Sequence, residues 1–173
     1  MLKLILCFSC LFASEDVATI FTPQGNQISQ EEGNKRLIQN YYRAFQENNA
    51  QALLATLAPN YGILNANLVN DTSYYPYPTM SKNQKVRMGA FHYSFPDLRI
   101  QVMELIAEQN RVFAYVTYSG TQKGPFLGIM PTNKPLVIKQ FAVFSVENGR
   151  IVHITEMDNE YSVMEQIGYV LIK

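Results

Sequence analysis

The sequence predicts an α+β domain, a cone-shaped roll in which N-terminal helices and a curved antiparallel sheet enclose a pocket. Two observations support this prediction. The chain has 173 residues, 47% of them hydrophobic and 16% charged, which suits one domain with one core. Its apolar residues recur with a helical period up to about residue 94 and with a strand period afterwards. Helices followed by a run of strands are typical of the α+β class.

Three helices are predicted in the first half. The first follows Asn34 as N-cap, the second covers residues 50–57, and the third covers residues 82–94 and ends before Pro96. The apolar stripe of the first helix consists of Leu37, Ile38, Tyr41, Tyr42 and Phe45. The third helix carries Val86, Ala90 and Phe91 at helical spacing, and we expect that face to be buried.

The strands come mainly afterwards. A short strand is predicted over 61–64, two hairpins pair 99–108 with 111–121 and 136–146 with 150–158, and a short helix over 161–167 closes the domain. The loop over 65–81 is rich in tyrosine and proline between Tyr74 and Pro78. That loop is either a cover for the pocket mouth or a surface loop stiffened by proline.

The N-terminus resembles an export signal. Lys3 precedes a short apolar run, and small residues at Ala13 and Ser14 come before two acidic ones. We therefore predict a signal peptide over 1–14, an extended leader over 15–33 and the folded domain over 34–170. The alternative is a buried N-terminal strand. The expected location is the periplasm or the medium, with no stable membrane anchor, because the apolar run is too short to span a bilayer.

Composition excludes several kinds of site. Net charge is zero, which gives no indication of nucleic-acid binding. Both cysteines, Cys7 and Cys10, lie inside the predicted signal, so the mature chain would have no disulfide and no thiolate nucleophile. Only His92 and His153 remain as soft ligands, and we expect no metal and no cofactor. His153 is predicted on an outer surface, and His92 in packing or at the pocket rim.

The last hairpin supplies the candidate acid–base residues. If residues 147–149 form a three-residue turn, Ile154 pairs with Ala142 and Glu156 with Gln140. Alternation then places Glu156 and Asp158 on one face, at the far end of an apolar stretch. A carboxylate facing an apolar cavity has a raised pKa and can exchange protons near neutral pH. Alternatively, Asp158 is solvated at the mouth, and Glu156 pairs with Gln140 or Tyr41.

Other side chains are expected to line the pocket and contact a small apolar molecule. Some tyrosines among them offer hydroxyls that can steady an enolate; the alternative is that most are core aromatics. The predicted substrate-binding residues are Tyr41, Tyr61, Tyr115, Gln122, Phe126, Gln140, Ala142, Phe144 and Ile154. The opposite face of the last hairpin, with Phe141, Val143, Ile151 and Met157, is predicted to be covered by a second subunit.

Four segments carry a resemblance to a known family. Residues 120–136 read GTQKGPFLGIMPTNKPL, and three shorter pieces read FPDLR at 95–99, VENGRIV at 146–152 and EQIG at 165–168. Together they resemble the SnoaL-like polyketide cyclase (ester cyclase) family of the nuclear-transport-factor-2-like superfamily, in which the loop corresponding to 120–136 has the form GTHxGxFLGIPPTGxxV. The resemblance implies an α+β barrel, commonly a homodimer or larger oligomer, and acid–base catalysis of ring closure without metal or organic cofactor.

The chain also departs from that family pattern. Gln122 stands where the family often has His, and Tyr115 where it often has Arg. Ile154 and Thr155 stand where His-Trp is usual, and Asn159 aligns with a family Asp unless the register slips by one.

The sequence is consistent with two functions. The first is an exported enzyme that removes and returns a proton on a small apolar carbonyl compound, with Glu156 or Asp158 as the base. The second is a non-catalytic domain of the same fold that binds a hydrophobic ligand or a partner protein.

Overall fold

The computed structural model describes residues 29–65 and 83–168, a part of the chain with four helices and five strands. The predicted signal peptide, most of the predicted leader and the Tyr74–Pro78 segment lie outside these residues. In chain order the elements are α1 (Gln30–Gln46), α2 (Ala50–Thr56), β1 (Leu57–Asn65), α3 (Gln84–Ser94), β2 (Arg99–Glu108), β3 (Arg111–Thr121), β4 (Pro135–Glu147), β5 (Arg150–Asp158) and α4 (Glu160–Ile167).

Helix α1 begins earlier than the sequence pattern predicted. Ser29 is its N-cap, and the Ser29 hydroxyl accepts a hydrogen bond from the backbone N–H of Glu32 at 3.2 Å. Asn34 is therefore not a cap. It is buried inside the helix, where its side-chain amide donates to the carbonyl of Gln109 at 2.9 Å. The last four residues of the predicted extended leader, 30–33, are helical.

The sheet has the strand order β1-β5-β4-β3-β2. Strands β2 to β5 form the predicted antiparallel meander, and the predicted bounds of β2, β3 and β5 are confirmed. Strand β1 is longer than predicted and pairs in parallel with β5, so the complete sheet is mixed. The predicted α+β class is confirmed, with a curved, unclosed sheet against which the helices pack.

The β4–β5 hairpin has a different register from the predicted one. The strands close at Glu147 and Arg150 around a two-residue Asn148-Gly149 turn, in which both residues have positive φ (49° and 70°). Such a turn matches the twist of a hairpin. One extra residue on β5, Val152, then forms a bulge, because Ser145 pairs with His153 and Val146 with Ile151.

Turn and bulge together move the pairing by two residues from the predicted register. Glu156 lies opposite Ala142, not Gln140, and Ile154 lies opposite Phe144, not Ala142. A two-residue shift preserves the face of each side chain, so Glu156 still points inward. Ile151, predicted on the outer face, is fully buried because the bulge reverses the alternation there.

The core lies between the inner face of the sheet and helices α1 and α3. Tyr41 and Tyr42 of α1 each meet the ring of Phe144 edge-on, at 5.5 and 5.8 Å between centroids, and Phe91 of α3 packs on Tyr118 at 5.7 Å. Such aromatic contacts add to the stability gained from burial. Helices α1 and α3 therefore pack on the same inner face of the sheet to which Glu156 belongs.

The buried face of α3 differs in part from the predicted one. Phe91 is buried as expected, but Val86 is 48% exposed, and the face turned to the core also includes Gln84, Arg87 and Met88. These positions follow the helical spacing of three and four residues. Helix α3 therefore turns two polar side chains, Gln84 and Arg87, toward the interior.

Candidate active site

Glu156 of β5 is the centre of a buried polar cluster. Only 4% of this residue is exposed, and its carboxylate forms an ion pair with the guanidinium of Arg87, which is also buried at 4% exposure. The other carboxylate oxygen accepts a hydrogen bond from the side-chain amide of Gln140 at 3.3 Å. Tyr118 donates its hydroxyl to the amide oxygen of Gln140 at 3.0 Å. The cluster thus joins α3, β3, β4 and β5.

Tyr118 fixes the orientation of the Gln140 amide. Because its hydroxyl occupies the Gln140 oxygen, the Gln140 NH₂ group is turned toward Glu156. Burial raises the pKa of Tyr118 well above its usual range, so the phenol stays protonated and remains a donor. The hydrogen bonds therefore run in one direction, from Tyr118 through Gln140 to the carboxylate.

Burial raises the pKa of Glu156 to about 7. The charge of Arg87 opposes this rise, and the charge of Asp158 adds to it. Burial alone would lower the pKa of Arg87, but Glu156, Tyr118 and Tyr41 raise it above its usual value, so the guanidinium stays charged. The site therefore combines a permanent cation with a carboxyl group that can change its protonation state near neutral pH.

Asp158 is half-buried and lies two residues beyond Glu156, at the end of β5. In the sheet it pairs with Gln140. Its charge acts on both Glu156 and Arg87. Of the two predicted acid–base residues, Glu156 is the enclosed one, within hydrogen-bond reach of a second polar group, and Asp158 lies nearer the edge.

The predicted tyrosines occupy different places. Tyr41 is buried on α1, and its hydroxyl is close enough to Arg87 and Glu156 for both charges to influence its pKa, which burial raises above its usual value. Tyr61 is half-buried on β1 and accepts a hydrogen bond from the backbone N–H of Gln84 at 2.9 Å, at the first turn of α3. Tyr41 therefore borders the cluster, and Tyr61 contacts the start of the helix that carries Arg87.

Tyr115 does not belong to the site. It lies on the outer face of the sheet, where its ring stacks on Phe141 at 5.0 Å between centroids. Along β3 the buried positions are Val112, Ala114, Val116 and Tyr118, so alternation places Tyr115 on the other side. The inward hydroxyl of this strand belongs to Tyr118, which sequence reasoning missed although the same alternation could have identified it.

Gln122 and Phe126 belong to the loop between β3 and β4. Gln122 is fully buried, and its amide nitrogen donates to the carbonyls of Ile129 and Met130 at 3.1 and 3.2 Å. Its amide oxygen accepts from the Thr132 hydroxyl at 2.7 Å. Both N–H bonds are thus used within the loop and cannot serve a ligand. Phe126 packs on two other rings, those of Phe91 and Phe95.

The remaining predicted lining residues, Ala142, Phe144 and Ile154, are buried on the inner face beside the cluster.

His153 is exposed on the outer side of β5, as predicted. His92 packs at the end of α1, where its Nε2 meets the Phe45 carbonyl at 2.7 Å and must act as the donor. In the described part of the chain, no group of three or more His, Cys, Asp or Glu residues is placed to hold a metal.

Arg87 is the second residue that sequence reasoning missed. Its neighbours Val86 and Ala90 suggested a different buried face for α3, and an arginine is rarely a core residue. The available signal was the spacing of Gln84, Arg87, Met88 and Phe91, which fits one helical face once a polar pair is allowed on it.

The sequence and the fold can be compared with known proteins. The family model for SnoaL-like polyketide cyclases matches residues 35–167. The chain therefore belongs to the SnoaL-like polyketide cyclase family. No curated protein matches it by sequence. No helix within residues 29–65 and 83–168 has the length and apolar character needed to cross a membrane.

Solved structures share the fold at low sequence identity. AclR from Streptomyces galilaeus, described as a proposed hydroxylase, aligns with a TM-score of 0.68 at 19% identity over 82% of this chain and 89% of its own. TsrD from Streptomyces laurentii gives 0.65 at 20% identity, over 80% and 96%. IdmH from Streptomyces antibioticus, a proposed polyketide cyclase, gives 0.63 at 21%, over 78% and 98%. These likenesses concern the fold, since one fold can serve several activities.

Proposed function

We propose that this protein is an exported, cofactor-free acid–base enzyme that removes and returns a proton beside the carbonyl of a small apolar compound, in a cyclase, isomerase or aldol type of reaction. The observation that supports this most is the enclosed carboxyl of Glu156, held by Arg87 and Gln140 at the inner face of the sheet. A base with a pKa near the working pH is suited to this chemistry.

The proposed step conserves charge within the cluster. The Glu156 carboxylate takes the proton, the carbon–hydrogen bond breaks, and its electron pair moves to give an enolate on the carbonyl oxygen. Negative charge thus leaves the carboxylate and appears on the substrate, beside the same Arg87 guanidinium. A fixed cation at the position where charge develops lowers the barrier. Return of the proton from Glu156 restores the ion pair.

Deuterium exchange tests this proposal directly. Acetophenone and pentane-2,4-dione are incubated with the protein in D₂O at pD 7.5, and loss of the α-proton signal is followed by NMR. We expect exchange above the buffer rate, reduced about 100-fold or more in Glu156→Gln, the usual scale for loss of a general base. Glu147→Gln is the matched control, because Glu147 is exposed at the far end of the same hairpin. Equal rates in wild type and E156Q would contradict the role of Glu156.

One observation favours a second candidate function. Both carboxylate oxygens of Glu156 are already engaged, by Arg87 and by Gln140, as expected for a structural ion pair in a non-catalytic domain that binds a hydrophobic ligand or a partner protein. In that case no ketone exchanges above the buffer rate, and E156Q binds a co-purified ligand as well as the wild type does. The same protein samples, examined by mass spectrometry for that ligand, separate the two functions.

Export and assembly complete the proposal. The basic and apolar N-terminus supports cleavage near Ser14. The mass of the protein recovered outside the cytoplasm tests this cleavage, and a full-length chain that stays in the cytoplasm would contradict export.

The outer sheet face supports a homodimer, because the exposed Phe141 stacks with Phe113 and Tyr115 in an apolar strip. Phe141→Glu should then shift a sedimenting dimer to a monomer.

A further inference from the structure

Helix α3 presents two buried side chains whose polar atoms are not all used by the protein. Gln84 is fully buried, and neither its amide nitrogen nor its amide oxygen has a hydrogen-bond partner. Arg87 holds Glu156 through one terminal nitrogen, but its Nε is buried without a partner. Buried polar groups are nearly always satisfied, so two neighbouring exceptions require an explanation.

These two side chains lie on the same face of α3. Positions 84 and 87 lie three residues apart on α3 and therefore share one face of the helix. The ion pair with Glu156 holds Arg87, and the Tyr61 hydroxyl accepts from the backbone N–H of Gln84 at the start of the helix. Unpartnered donors and an acceptor thus lie on the same helix face as the group that binds Glu156.

The available atoms define the chemistry of a complementary group. The Gln84 NH₂ and the Arg87 Nε–H donate, whereas the Gln84 amide oxygen can only accept. An apolar group would leave all three atoms unsatisfied, and a bare carbonyl would leave the acceptor unsatisfied. A carbonyl that bears an N–H or O–H, of which a carboxamide is the simplest example, satisfies both kinds of atom.

We propose that Gln84 and Arg87 form the binding site for the polar head of the ligand, a carbonyl group that carries its own hydrogen-bond donor. This inference rests on the proposed function, because it places that head beside Glu156. The hydroxyl of Tyr42 is also buried without a partner, but it lies on α1 among the rings of Phe144 and Tyr118 and is not needed for the proposal.

Two probes of nearly equal shape test the site. Benzamide carries an NH₂ where acetophenone carries a methyl group. We expect the wild type to bind benzamide at least about fivefold more tightly by NMR titration, the scale of one additional hydrogen bond. In Gln84→Met this ratio should fall to one or below. Gln30→Met is the matched control, since Gln30 also begins a helix but is exposed, and it should keep the wild-type ratio.

The melting temperature of the ligand-free protein distinguishes a binding role from a structural one. Replacing an unsatisfied buried amide by methionine removes a desolvation penalty, so Q84M should melt at or above the wild-type temperature. Lost preference with an equal or higher Tm supports the proposal. A lower Tm, a preserved preference in Q84M, or a wild type that does not distinguish the probes overturns it. Benzamide binding involves no proton transfer, so this result is independent of the exchange test.

Discussion

Two glutamines, Gln84 on α3 and Gln122 in the β3–β4 loop, are both fully buried, yet their surroundings are opposite. The amide of Gln122 makes three hydrogen bonds, to two loop carbonyls and the Thr132 hydroxyl. The side-chain amide of Gln84 makes none. A satisfied buried amide specifies local structure, whereas an unsatisfied one reduces stability unless something else compensates for it.

The same contrast separates the two regions that contain them. The loop around Gln122 closes on itself, with further backbone hydrogen bonds from Gln122 to Lys134 and from Asn133 to Gln122, both 3.0 Å. The cluster around Glu156 combines a buried ion pair with buried polar atoms that have no partner. Buried polar groups without a partner in an otherwise consistent fold are expected at functional sites. We therefore assign a structural role to the β3–β4 loop and treat the cluster between α3 and β5 as the site.

The largest expected effect comes from breaking the ion pair at the site. Arg87→Met leaves the Glu156 carboxylate buried without its counter-ion, which should cost about 3–5 kcal/mol of folding free energy at pH 8. Urea unfolding of both proteins measures the difference. The double variant Arg87→Met/Glu156→Gln removes both charges and should recover most of the loss.

The loss in R87M should depend on pH in a defined direction. The pKa of Glu156 in the folded state, about 7, lies above its usual value, so the folded state binds more protons than the unfolded state does. Stability therefore falls as pH rises from the usual pKa of a glutamate to about 7. Because Arg87 lowers the pKa of Glu156, R87M extends this pH range above 7. The difference in unfolding free energy between R87M and wild type should therefore be small at pH 5 and grow toward pH 8. An equal gap at both pH values would show that Arg87 contributes only packing.

A smaller effect is expected in the loop. Gln122→Met keeps the volume but leaves two carbonyls and a hydroxyl without their partner, which should cost about 2 kcal/mol. Because Q84M is expected to be neutral or stabilising, the same substitution at two equally buried glutamines should destabilise the protein at position 122 and not at position 84. Thermal unfolding of both variants checks this, and a similar loss in both would remove the distinction between support and site.

Much of the fold could be predicted from the sequence because its signals are local. Alternation set the bounds of β2, β3 and β5, and Pro96 marked the end of α3. The parallel pairing of β1 with β5 is a contact between distant segments, which no local pattern records. The prediction of the hairpin register was wrong because the hairpin has a two-residue Asn-Gly turn and a bulge at Val152 in place of the assumed three-residue turn.

The site was predictable only in part. Glu156 and Gln140 were identified correctly as inward-facing, because a two-residue error in register preserves the face. Arg87 and Gln84 were missed because apolar periodicity predicts a buried face from its hydrophobic residues, and this face of α3 buries polar ones. The partners of a buried charge come from distant elements, so a sequence pattern can identify the acid without identifying its counter-ion.

The smallest expected effect concerns the two tyrosines of β3. Tyr118→Phe removes the hydroxyl that orients Gln140 toward Glu156, and this should cost about 1 kcal/mol and lower any exchange rate about threefold to tenfold. Tyr115→Phe changes a hydroxyl on the opposite face of the same strand, so its stability should stay within about 0.5 kcal/mol of the wild type, with an unchanged rate. Both variants lose one oxygen from the same strand, and the two tyrosines differ in the face they occupy and in burial. Equal effects in unfolding and exchange would mean that the Tyr118–Gln140 hydrogen bond does not position the carboxylate.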